Sequence, residues 1–445
     1  MVVRPLVRQE LAAARVGSYS RCFGELLRSM ISARGLVWAI VASRLLVLAA
    51  GAYASLFTRR LSNWNLFDPT GLTTSLGTVG NLLTAASVRW DSLHYLSIAA
   101  HGYKPAGDTG FFPFYPLLIR VTGWLVGSDV IAGLLISLVS FAIALSLLHQ
   151  LTREQLGRRA ADATVLLLAF APLTLFFSAI YTESLLFALS VGTFFLARHG
   201  HLRWACLTAA CATVTQVEGV ALWAPLAFMF WESDGRRLRF HRLFSLDGAA
   251  LLMPLVALLG LLLYMHLLGF GWLAPITGSK PIGHGYSIAP YRIPSHGPAL
   301  LVRSIDGPFV TIWRAILAGA WGLYQTLHGA VPIAPNLSDL FTIGFQNLIY
   351  LIVLAISLSA LAGAWRLLPT AYAIYATLVI LVFTMSVVTL VPLRAFDRYM
   401  LPQFPLWMVA ANWLDKHRLL RPVLIVSPIL TVFYTIEFAR WAMIA

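Results

Sequence analysis

Residues 130–149 read VIAGLLISLVSFAIALSLLH, a run without one charged side chain, and Arg153, Arg158 and Arg159 follow it closely. At about 1.5 Å of rise per residue, such a run crosses about 30 Å of hydrocarbon as a helix. Outward from it, comparable runs recur at 35–57, 162–181, 184–197, 204–217, 219–231, 248–268, 341–364, 370–391, 399–414 and 422–440. Phe111-Phe112-Pro113-Phe114-Tyr115-Pro116 opens a shorter segment to residue 126, whose prolines and Arg120 predict an interfacial or broken helix. The chain is 59% hydrophobic and 11% charged over 445 residues, too little charge to cover a water-facing surface. These features predict an all-α polytopic membrane protein with about eleven transmembrane helices.

The formal charge of +14 raises nucleic-acid binding, but the basic residues fall in short gaps between apolar runs, without an aromatic–basic platform. They follow the positive-inside rule and suit anionic membrane lipids instead. Counted alternately from a cytoplasmic N-terminus, the inside gaps gather 19 of the 32 Lys and Arg residues. The organisation expected is a basic cytoplasmic segment, 1–34, and a single transmembrane domain, 35–440. Two long non-cytoplasmic loops interrupt that domain, 58–112 and 269–339. The excess of Arg over Lys points to a GC-rich genome and a bacterial cell membrane. The three cysteines, Cys22, Cys206 and Cys211, form no CxxC pair, HExxH is absent, and no metal ligand set or cofactor site is expected. His284, Tyr286 and His296 in the second loop match no metal spacing. Neither GxxxxGK[ST] nor a GxGxxG turn occurs, which excludes a nucleotide-binding module of those kinds.

The first loop carries Arg89-Trp90-Asp91-Ser92-Leu93-His94-Tyr95, continuing through Ile98-Ala99-Ala100-His101-Gly102-Tyr103. On a helix starting there, Asp91, His94 and Tyr95 share a face. Asp91 is either an N-cap for that helix or a positioned general base. Cations on the same side are Arg89, His94, Lys280, Arg303, Arg394 and Arg398. Arg398 precedes a run broken by Pro402 and Pro405, and either snorkels to headgroups or meets a phosphate. Glu183, in the Tyr181-Thr182-Glu183-Ser184 turn, is a solvated turn acid or a sugar ligand. Glu218, in an apolar hairpin, is harder to leave unexplained because a carboxylate there is costly.

The Arg89–Tyr103 segment resembles the first-loop motif of the PIG-V type of membrane mannosyltransferase, the GPI mannosyltransferase 2 family. The resemblance continues through Phe111–Leu118, through Ala171-Pro172 and Tyr181–Leu185, and returns at Arg398-Tyr399, Pro402 and Phe404-Pro405-Leu406. It implies a GT-C glycosyltransferase architecture with its acid in the long first non-cytoplasmic loop, and inverting transfer of mannose from a polyprenyl-phosphate donor. Trp90 and Asp91 fall on the family's functional pair. Family members often carry Arg where Gln216 stands, a departure that bears on the acceptor.

The catalytic group expected is therefore Asp91, Trp90 and His94, with Arg89, Tyr95, Glu183, Glu218 and Arg398 as substrate-binding residues. Asp91 would deprotonate an acceptor hydroxyl, His94 or Arg398 would steady the phosphate, and Trp90 would hold Asp91. The partners expected are membrane lipids, a lipid-linked sugar and a lipid or glycan acceptor. The competing reading is a transporter or lipid flippase gated by Asp91, Glu183 and Glu218. Transporters tend to show matched repeats, whereas here one large loop follows the first span.

Overall fold

The computed structural model describes residues 33–60, 68, 71–103, 108–233, 244–277, 303–328, 343–388, 391–442 and 444. Residues 1–32 of the basic segment, and Lys280, His284, Tyr286 and His296 of the second loop, lie outside them. Helix α1, Ala33–Phe57, leads to the first loop, which holds α2, Gly77–Thr84, and α3, Asp91–His101. Helices α4, Phe114–Val126, and α5, Asp129–Leu156, follow, then α6, Arg158–Ala169, α7, Glu183–Arg198, and α8, Leu202–Thr213. A 3-10 helix, Val217–Leu222, turns the chain into α9, Trp223–Ser233. Next come α10, Leu246–Ala250, α11, Met253–Leu267, and α12, Ala274–Thr277. The C-terminal half adds α13, Pro308–His328, α14, Ile343–Leu367, α15, Thr370–Thr384, α16, Phe396–Tyr399, α17, Phe404–Lys416, and α18, Leu420–Ala439.

The protein is an integral membrane protein, almost wholly helical. Among the described residues, five helical stretches are long and apolar enough to cross a bilayer: Arg34–Phe57, Asp129–Leu156, Leu246–Leu267, Ile343–Leu367 and Leu420–Ala439. Apart from the 21-residue α13, the others are shorter, and several pack in pairs, such as α7 against α8 and α6 against α17. Two departures from the sequence reading stand out. The second loop, read as polar connector, contains the 21-residue α13, which packs against α14. The run 370–391 does not stay helical: α15 stops at Thr384 and Ser386–Val388 pairs antiparallel with Arg303–Ile305. The α13–α14 contact depends on small residues, because a Cβ on Gly322 would strike the carbonyl oxygen of Gly344.

The run 162–181 is also broken. Pro172 bars the residue before it from helical geometry; α6 ends at Ala169 and a 3-10 turn, Thr174–Phe177, carries the chain to α7. Freed carbonyls inside a bilayer need donors. Arg44, the one charged residue well inside α1, supplies them: its guanidinium donates to the carbonyls of Ala169 at 3.3 Å and Thr174 at 2.9 Å and to the Ser178 hydroxyl at 2.8 Å. It also lies 4.3 Å from the Phe141 ring centre. An arginine that looked misplaced in a span thus closes a helix break on its neighbour. The segment it supports carries Ile180, whose N–H donates to Ser87 O at 2.9 Å and anchors the first loop to the bundle.

Candidate active site

Three helix starts converge beside that anchor. Asp91 is the first residue of α3, Glu183 the first of α7, and Arg398 lies in the single turn of α16. Arg398 Nη1 donates to Asp91 Oδ2 at 2.8 Å, and its Nε lies 3.0 Å from Glu183 Oε1. Its side chain is only 10% exposed and Glu183 only 1%, whereas Asp91 keeps 28%. The guanidinium is walled by the rings of Phe176, Tyr181 and Tyr399, 5.0 to 5.5 Å away. Snorkelling does not describe this arginine, which is buried between two carboxylates on an aromatic floor. Asp397 beside it accepts the Arg398 N–H at 2.8 Å, and burial pushes its carboxyl up to about 7. Burial also raises Glu183 to about 7, against the opposing pull of Arg398.

The N-cap reading of Asp91 is corrected by the same geometry. The cap position is Trp90, at φ 53° and ψ −114°, and no side chain caps the helix. The Asp91 carboxylate turns to Arg398 instead. A positive φ on a tryptophan is strained, and it persists because the residue is held on both sides. Trp90 Nε1 donates to Ala442 O at 3.2 Å and its ring meets Trp441 edge-on at 5.8 Å. Tyr181 OH donates to Arg89 O and accepts from Asp91 N–H, both at 3.2 Å. Three of the four described non-glycine residues with positive φ, Trp90, Ala395 and Trp441, cluster around this site. They place both halves of the Asp91–Arg398 pair.

The remaining expected residues divide between two tasks. Arg89 does not reach the ion-pair cluster: buried, it donates to Val88 O and Ala439 O at 2.7 and 3.2 Å and covers the Trp441 ring. Tyr95 is also buried, its hydroxyl 3.1 Å from Thr182 Oγ1, which donates to Gln216 Oε1 at 2.7 Å. Gln216, where the family often carries Arg, is thus built into the wall that joins α3 to α7. His94 is nearer solvent and pairs with Asp108, Nδ1 to Oδ1 at 2.7 Å. Glu218 is fully buried, and neither of its oxygens has a hydrogen-bond partner among the described residues; Gln403, also fully buried, has none for either side-chain polar atom. Among the described residues no three His, Cys, Asp or Glu side chains gather as a metal ion would require.

Asp108 and Asp397 are the residues that the sequence reading passes over. Asp397 adjoins Arg398 in sequence, a signal that was available. Asp108 lies 14 residues after His94 in an irregular loop, where no periodicity links the two.

A family of known proteins matches this chain. The model of the mannosyltransferase (PIG-V) family matches residues 33–270, a little over half of it. No curated protein matches it in sequence. Among solved structures, the chain is similar to an oligosaccharyltransferase of Archaeoglobus fulgidus tethered with an acceptor peptide, at TM-score 0.43 and 15% identity over 93% of this chain and 55% of that one. It is also similar to ArnT from Cupriavidus metallidurans bound to undecaprenyl phosphate, at TM-score 0.37 and 14% identity over 92% and 78%. The chain spans only about half the length of the oligosaccharyltransferase.

Proposed function

The chain belongs to the mannosyltransferase (PIG-V) family, and from that premise we propose that it moves mannose from polyprenyl-phosphate mannose to a lipid or glycan acceptor, with inversion, on the non-cytoplasmic face of the membrane. The architecture that goes with this reading is the GT-C one. The observation that carries it is Arg398, buried between Asp91 and Glu183 at the mouth of the first loop. Inverting transfer requires one base for the attacking hydroxyl and a positioned environment for the departing phosphate. Asp91 is the carboxylate of the cluster that keeps exposed surface, and one of its oxygens is fixed by Arg398. The other oxygen takes the acceptor proton, while Arg398 and the strained Trp90 hold the group still. Glu183 is too buried to meet an acceptor directly and acts by fixing Arg398.

A lipid-borne donor follows from the absence of a recognised nucleotide-binding motif and from the basic gaps that put the first loop outside. The decisive experiment incubates purified protein with polyprenyl-phosphate mannose and a membrane lipid extract. Transfer of mannose to a lipid or glycan is expected, and GDP-mannose alone is expected to give none. Turnover with GDP-mannose free of lipid carrier would overturn the donor assignment.

A further inference from the structure

One turn along α3 from Asp91, His94 sits in a slot built by the turn that precedes α4. Its Nδ1 lies 2.7 Å from Asp108 Oδ1, and the side chains are 39% and 11% exposed. The imidazole stacks on Phe111 at 4.4 Å between ring centres and 13° between planes. Asp108 and Phe111 belong to one turn, closed by Phe111 N–H to Asp108 O at 3.0 Å, and the Tyr103 hydroxyl donates to Phe111 O at 2.6 Å. The loop therefore presents a carboxylate and a stacking ring to the same imidazole. A carboxylate on Nδ1 settles the tautomer: Nδ1 carries a proton, and Nε2 is the nitrogen left to act.

The reaction proposed above needs a group that the Arg398 cluster does not offer. When the sugar C1–O bond breaks, its electron pair leaves on a phosphate oxygen. Arg398 already faces two carboxylates, and swinging it outward would strand Glu183 without its cation. Asp91, as base, cannot also be the acid of the same step. Resting on the glycosyl-transfer reading, we propose that His94 is the acid that meets the departing lipid phosphate and that Asp108 is its positioning residue. In the step, the acceptor oxygen bonds to C1 and its proton goes to Asp91. The C1–O bond to phosphate breaks, and the phosphate oxygen takes the proton from His94 Nε2. Asp91 then releases its proton to water and His94 regains one, so the net transfer is of the acceptor proton to the lipid phosphate.

The charged and titratable groups around His94 are few. Asp91, Tyr95 and His101 share its helix, and Asp108 and Tyr103 follow in the loop. Arg120 on α4 donates to Ala99 O at 3.2 Å, Asp129 starts α5, and Asp68 is taken up by the N–H groups of Leu72 and Thr73.

The test is the pH dependence of kcat/KM with polyprenyl-phosphate mannose and lipid extract, for wild type, His94→Gln, Asp108→Asn and Asp108→Glu. Wild type should lose activity on the alkaline side as the imidazolium deprotonates. His94→Gln should be slower by about a hundredfold or more and lack that limb. Asp108→Asn should be slower by at least about tenfold, with the limb moved to lower pH, and Asp108→Glu should restore both. A donor carrying a phosphorothioate, a weaker base as leaving group, should suffer less from Asp108→Asn than the natural donor does, an effect that misfolding cannot produce. An Asp108→Asn enzyme with wild-type rate and pH limb would overturn the proposal. If that variant loses its fold, a wild-type rate in His94→Gln would do the same. A wild type that transfers nothing from the lipid donor would overturn the parent reading, and this one with it.

Discussion

At the scale of single residues, Asp91 and Arg398 stand 307 positions apart and meet at 2.8 Å. No spacing rule could have paired them, although each was recognisable as an ionisable group in apolar surroundings. Their pairing changes what substitutions should do. Asp91→Asn keeps the side-chain shape, and Arg398 retains Glu183, so detergent melting should shift little. Transfer should fall by about a hundredfold or more, because a carboxamide cannot take the acceptor proton; equal activity would show that Asp91 is not the base. Arg398→Met is a harsher change. A snorkelling arginine could be replaced without harm to the fold, but removing the cation here leaves the buried Glu183 uncompensated, a loss of about 3–5 kcal/mol. Adding Glu183→Gln to Arg398→Met should recover part of that loss, and a cycle of the four melting curves would expose the coupling. Strict additivity would show that the two side chains do not share their burial.

At the scale of elements, long apolar helices were legible because hydrocarbon thickness sets their length, and α5 lies where its uncharged run predicts. Breaks were less so. The run 162–181 reads as one span, yet Pro172 ends α6 early and Arg44 on a different helix closes the gap. Helix α13 was missed because its apolar stripe is diluted by Arg314, Gln325 and glycines inside a stretch read as loop. The first-loop motif was legible as a helix start, but the use of its residues was not. Arg89 and Trp90 clasp the last residue of α18 and the turn that follows it, a contact no local pattern announces. That clasp is testable by its ordering. Trp90→Phe keeps the aromatic edge and loses only the N–H to Ala442 O, worth about 1 kcal/mol. Trp441→Ala removes a fully buried ring from under both Arg89 and Trp90 and should cost about 3–5 kcal/mol. Transfer should fall more in Trp441→Ala than in Trp90→Phe, since Asp91 follows Trp90 directly. The reverse order in melting temperature and rate would mean that the C-terminal clasp does not position the site.

At the scale of the whole molecule, two helices that start at or beside the site, α7 and α17, end among basic residues. Helix α7 runs from Glu183 to Arg198, and α17, which follows Arg398 closely, runs to Lys416 with Arg418 just beyond. Thirteen to sixteen helical residues carry the chain about 20–24 Å from one end to the other. The orientation proposed from the positive-inside rule has these basic ends in the cytoplasm and the Asp91 end on the opposite face. Ser92 is buried and would make a poor reporter, whereas His101 at the end of α3 and Lys416 at the end of α17 are both exposed. With Cys22, Cys206 and Cys211 replaced by Ser, a single cysteine at His101 should react with an impermeant maleimide in intact cells, and one at Lys416 should react only after permeabilisation. The opposite pattern would place Asp91 on the cytoplasmic face. A lipid-linked donor would then lose its topological rationale, because nucleotide sugars would be in reach of the site.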